Sequence, residues 1–100
     1  MPIKPRDLER LLQGKFDFVP AKGHSSDHRW YELRLPGLPP ILTKVSHRKT
    51  EISDDLLGKI RRQLRVRNRF FREMVDCTKE REDYRQQVRK DPFPPFDVRL

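Results

Sequence analysis

The stretch His28-Arg29-Trp30-Tyr31-Glu32-Leu33-Arg34-Leu35 decides the fold. Tyr31, Leu33 and Leu35 recur at every second position, while His28, Trp30, Glu32 and Arg34 take the alternate ones. That two-residue period is a strand with one face in a core and the other open. Downstream, Pro36-Gly37 is a strong turn dipeptide, and Ile41 to Ser46 supplies a further strand that returns antiparallel beside the first. Upstream, Phe16, Phe18 and Val19 predict a strand that Pro20 and the loop from Ala21 to Asp27 bring to an end.

Helical spacing flanks these strands. Pro5 suits a first helical turn, where its missing N–H is not needed, and Leu8, Leu11 and Leu12 then predict a helix from Pro5 to Gln13, with Gly14 as its stop. After the last strand, Ser53 is a good N-cap, Asp54 and Asp55 oppose the helix dipole, and Ile52 can staple onto Leu57. Leu56, Leu57, Ile60 and Leu64 form an apolar stripe, so a second helix is expected from Asp54 to Arg65, carrying Lys59, Arg61, Arg62 and Arg65 outside. Phe70, Phe71, Met74 and Val75 predict a short third helix. A fourth, very polar one follows from a Thr78 cap through Arg89, anchored by Tyr84 and Val88. Asp91-Pro92-Phe93-Pro94-Pro95-Phe96 cannot be helical and is expected to be extended, its two Phe residues available for docking. The expectation is therefore an α+β fold of order α-β-β-β-α, a three-stranded antiparallel sheet with helices on one face, over residues 1–66, and a helical extension with a Pro-rich tail over 67–100.

Composition narrows the functions. A net charge of +8 on 100 residues, with a pI near 10.2, concentrates polyanions at the surface, and nucleic acid is the obvious partner class. The 15 acidic residues interleave with the basic ones, so part of that charge is ordinary solvated helix surface. No run approaches the roughly 20 apolar residues of a membrane span, and Met1-Pro2-Ile3-Lys4-Pro5 has no apolar signal core, so a soluble cytoplasmic protein is expected. Cys77 is the only cysteine, which excludes an intramolecular disulfide and a thiol cluster; a small buried hydrophobe is its expected role. His24, His28 and His47 lack the spacing of a metal set, and neither a metal nor a cofactor is expected.

No phosphate-binding glycine loop, nucleophilic serine elbow or paired carboxylates are legible, which leaves proton transfer by histidine. RNA carries its own nucleophile, the 2′-hydroxyl. A small domain therefore needs only to hold the phosphate and move a proton near neutral pH, within reach of an imidazole. Strand parity puts His28 and Trp30 on the open face, the first as candidate general acid or base and the second as a stacking platform. Arg29, Arg34 and Lys44 are candidate phosphate ligands. Asp27 reads as a loop aspartate. His47, at the end of the last strand, faces the start of the strand that holds His28 and is a candidate RNA contact.

Over roughly Lys4 to Val66 the chain resembles the HicA toxins, the small mRNA interferases of toxin-antitoxin pairs. The likeness rests on the Leu-Leu helix Pro5-Arg6-Asp7-Leu8-Glu9-Arg10-Leu11-Leu12, on Phe16-Asp17-Phe18-Val19, and on His28-Arg29-Trp30-Tyr31 after the Gly23 loop. It extends through Thr43-Lys44-Val45-Ser46-His47 and Glu51-Ile52-Ser53-Asp54-Asp55-Leu56-Leu57 to Lys59-Ile60-Arg61-Arg62-Gln63-Leu64. The resemblance implies a fold similar to a double-stranded-RNA-binding domain and metal-independent cleavage of messenger RNA. It also implies His28 as the catalytic histidine and a HicB-type antitoxin as partner. Two rival readings remain: a non-catalytic nucleic-acid-binding module, and an interaction protein that docks through its C-terminal helices and tail.

Overall fold

The computed structural model describes residues 3–21, 28–46 and 50–92, with backbone alone at positions 28 and 46. The expectations placed on His24, Asp27, His47, Phe93 and Phe96 fall outside these residues. Among the described residues the fold is α+β, with a three-stranded antiparallel sheet and four α-helices. In chain order the elements are α1 (Pro5–Arg10), a π-helical turn (Leu11–Lys15), β1 (Val19–Pro20), β2 (His28–Leu33), β3 (Ile41–Ser46), α2 (Asp54–Gln63), α3 (Asn68–Val75) and α4 (Arg81–Lys90).

β2 is the central strand. It pairs with β3 from His28↔Ser46 to Leu33↔Ile41, and with β1 at Val19↔Glu32 and Pro20↔Tyr31. Tyr31, Leu33, Ile41, Thr43 and Val45 are buried beneath the helices, whereas Trp30, Glu32, Leu42 and Lys44 on the opposite parity are only half-buried. Alternation along β2 and β3 thus separates a buried face from a half-buried one, which is more open among the described residues. The connection between them bends at Gly37, whose φ of 80° is costly for any residue with a Cβ.

The first helix is longer than its leucine spacing predicts. It passes through Gly14 and widens into a π turn, closed by the Phe16 amide donating to the Leu11 carbonyl at 3.2 Å. The result aligns Leu8, Leu12 and Phe16, all fully buried. The strand expected from Phe16 is corrected to the two residues Val19–Pro20. Asp17 adopts φ 65°, incompatible with a strand, so Phe16 and Phe18 both enter the core instead of alternating across a sheet.

α2 starts as its sequence requires, with the Ser53 hydroxyl accepting from the Leu56 amide at 3.3 Å, and ends at Gln63 before Arg65 turns left-handed at φ 64°. α4 begins later than Thr78. Its cap is Glu80, in a reciprocal capping box with Asp83, while Thr78 donates back to the Glu73 carbonyl and closes α3. Cys77 is exposed, at φ 64° just past α3, and not the buried hydrophobe that the composition suggests. Phe71, Met74, Tyr84 and Val88 join the same buried cluster as Leu8, Phe18, Val45 and Leu64. Tyr84 is its keystone: fully buried, edge-on to Phe16 at 5.6 Å and donating to the Leu64 carbonyl at 2.9 Å. From outside, Asp17 ties α4 to the turn, 3.1 Å from Arg81 and 3.0 Å from Arg85. No helix among the described residues is long and apolar enough to cross a membrane.

Candidate nucleic-acid interface

The open face of the sheet is built in rows, because antiparallel pairing places partners side by side. One row runs Val19, Glu32, Leu42; the next holds Trp30 and Lys44; the third is the backbone pair of His28 and Ser46. Two residues along a strand span about 7 Å, so position 28 lies one such step from Trp30. The His28 and Ser46 side chains are outside the description.

Trp30 and Lys44 form the most distinctive pair on this face. The Lys44 ammonium sits over the indole, 5.5 Å from the ring centroid, where the ring quadrupole attracts it. Together they offer an aromatic surface and a positive charge within one side-chain length, the pairing that stacks a base and meets its phosphate. β3 is held there by α2. Gln63, buried against the sheet, accepts from the Thr43 hydroxyl at 2.7 Å and from the Lys44 amide at 3.3 Å. An outward-facing amide on the sheet edge is thereby satisfied, and Lys44 is fixed opposite Trp30.

The arginines divide between the two faces. Arg34 shares the open face and lies 3.4 Å from Glu32, a solvent-exposed pairing that binds it weakly. Arg29 has the parity of the core residues. It leaves the sheet on the helix side, where its guanidinium meets the Glu9 carboxylate of α1 at 2.8 Å. Glu9 is almost buried and also interacts with Tyr31, whose phenol is raised above its ordinary value by burial first and by the Glu9 charge second. Of the residues singled out from sequence, the structure therefore groups Trp30, Lys44 and Arg34 on one surface and puts Arg29 on the other. His28 has its backbone in the adjoining row. His47 lies outside the described residues.

Sequence reasoning missed Glu9, Gln63 and Val19. Gln63 had a signal, being a polar residue inside the apolar stripe of Leu57, Ile60 and Leu64, where burial demands a partner. Glu9 had none, because its partner Arg29 is 20 residues away. Val19 is the one large hydrophobe left strongly exposed among the described residues, at 53 %, and it extends the apolar part of the open face. Also among the described residues, no three His, Cys, Asp or Glu side chains gather as metal ligands. No family model, no curated protein and no solved structure matches the chain.

Proposed function

We propose that the chain is a cytoplasmic, HicA-like RNA-binding toxin, a metal-independent mRNA endoribonuclease that uses His28 as general acid or base. The observation that supports this reading best is the Trp30–Lys44 pair on the open sheet face, one row from the His28–Ser46 backbone pair. In this reading Trp30 stacks a base, Lys44 and Arg34 meet the backbone phosphates, and His28 handles the proton. The RNA 2′-oxygen attacks the adjacent phosphorus as its proton leaves. The bond from phosphorus to the 5′-oxygen breaks, and a 2′,3′-cyclic phosphate and a 5′-hydroxyl result. An imidazole exchanges protons near neutral pH, the range the step requires.

The α-β-β-β-α part is read as the double-stranded-RNA-binding-domain-like unit that the resemblance implies, with a HicB-type antitoxin as the partner that silences it. A specific observation favours the rival, a binding module without turnover: Arg29, a candidate phosphate ligand, is engaged by Glu9 on the helix side. Purified wild-type and His28→Ala protein, incubated with labelled messenger RNA in EDTA, separate the two. The toxin reading expects cyclic-phosphate products from the wild type alone. Equal cleavage by both proteins, or RNA binding without cleavage by either, refutes it.

A further inference from the structure

The corner where α2 meets α3 carries more positive charge than the fold uses. Arg61 and Arg72 lie there, and Arg62 and Arg67 are near enough for their charges to act on Arg61. Arg61 and Arg72 line one cleft of about 390 Å³ together with Asp54, Gly58 and Asn68, over a floor of Leu57 and Phe71. That volume falls within the range of about 300–1,000 Å³ typical of small-ligand sites. Arg62, Arg67 and Arg72 are exposed and make no ion pair or hydrogen bond with the described residues. Arg61 is braced from below, donating to the Val66 carbonyl at 3.1 Å. Its guanidinium loses proton affinity through burial and then through the charges of Arg62 and Arg67, so the cluster repels itself.

Asp54 and Arg61 each have a partner, which leaves the charges of Arg62, Arg67 and Arg72 in surplus. Asp54 is the carboxylate in the cleft lining. Glu73 lies 4.0 Å from Arg69, and α3 opens with Arg67 at its N-cap and no acidic residue in its first turn. Gly58 adds a further sign. It stands inside α2, where glycine costs about 1 kcal/mol relative to alanine, and a Cβ built on it meets nothing within 4 Å. Gly58 lines the cleft, so a long side chain at this position would project into open space beside it.

We propose that this corner is a second binding site for the RNA backbone, in which the α2–α3 cleft takes one phosphate and sugar unit while Arg62 and Arg67 hold adjacent phosphates. The inference rests on RNA being the ligand of the open sheet face, and it gives the protein a footprint with two separate anchors.

The test uses the full chain and a labelled 2′-O-methyl oligonucleotide of about 20 nucleotides, which resists cleavage and is long enough to reach beyond one small domain. Affinity is followed by anisotropy against salt, and binding at the open face by quenching of Trp30, the only tryptophan. Each lost phosphate contact takes about 0.7 from the salt slope for single strands, so R62Q/R67Q/R72Q is expected to flatten it by about 2. The variant should then lose about 20-fold less affinity than the wild type between 50 and 200 mM salt. The charge-matched triple R6Q/R89Q/K90Q, at exposed positions elsewhere, is expected to keep the steeper slope. Gly58→Leu is expected to strengthen α2 and weaken binding with no change of net charge. Trp30 quenching with no flattening, with equal flattening in both triples, or with full affinity in Gly58→Leu overturns the second site and leaves the open-face reading standing. Absence of any binding by the wild type at low salt overturns both.

Discussion

Tyr84→Phe removes one oxygen from the centre of the core, and its consequences follow from the surroundings of that atom. The ring keeps its packing against Phe16 at 5.6 Å and Phe18 at 6.0 Å, so only the bond to the Leu64 carbonyl, 2.9 Å long, is lost. An absent buried hydrogen bond with its acceptor left behind costs about 1.5 kcal/mol, which lowers the Tm of a domain this size by roughly 6–12 °C. The loss depends on pH in a defined direction. Burial pushes the Tyr84 phenol far above its ordinary value, against a smaller opposing pull from Arg65. The folded protein therefore holds the phenol neutral, while the unfolded chain ionises it above about pH 10. Its stabilising contribution is complete below about pH 10 and is lost as the pH rises further, by about 1.4 kcal/mol per unit. The variant has no such loss, so the gap between the two proteins should close near pH 11. Chemical unfolding followed by circular dichroism, from about pH 7 to pH 11, measures it. A gap that stays constant over that range would refute a neutral buried phenol, and a negligible gap at neutral pH would refute the hydrogen bond.

Three further outcomes are expected. Gln63→Leu leaves the Thr43 hydroxyl and the Lys44 amide without their acceptor and should lower unfolding free energy by about 2 kcal/mol in urea titrations. Glu9→Gln removes the Glu9 charge, which after burial is the largest influence raising Tyr31, so its phenol should titrate closer to the ordinary value; in a Tyr84→Phe background the ultraviolet titration reports Tyr31 alone. Cys77→Gly relieves a left-handed residue with no buried contacts to lose; about 1 kcal/mol of strain against roughly 0.5 of added chain entropy predicts a small rise in Tm.

The parts of this fold that could be read from sequence are those governed by local periodicity. β2 and β3 announce themselves through Tyr31, Leu33, Ile41 and Val45 on one parity, and α2 through Ser53 and the stripe Leu57, Ile60, Leu64. The misread stretch, Phe16 to Val19, has the same alternation but a different cause. Asp17 turns left-handed, held by Arg81 and Arg85 more than sixty residues on, and that lets both Phe side chains point inward. Period-two spacing cannot distinguish a strand from a kink pinned by distant charges. The start of α4 was displaced for a related reason: Thr78 has the chemistry of an N-cap, but Glu80 and Asp83 complete a reciprocal box. At the candidate site, parity along β2 put Trp30 and Arg34 on one face; strand pairing adds Lys44 beside Trp30, and the backbone places His28 in the next row. It left open which partner each charge would choose, and Glu9 reaching Arg29 from α1 is a tertiary choice with no local signature.

The central claim is that the open sheet face meets RNA, and the most direct measurement of it is the fluorescence of Trp30 during titration with single-stranded RNA at low salt. Because this is the only tryptophan, its signal reports that face alone. Saturable quenching, weakened in Lys44→Ala and fading as salt rises, is the predicted result. RNA binding seen by anisotropy with the Trp30 emission unchanged would contradict the account.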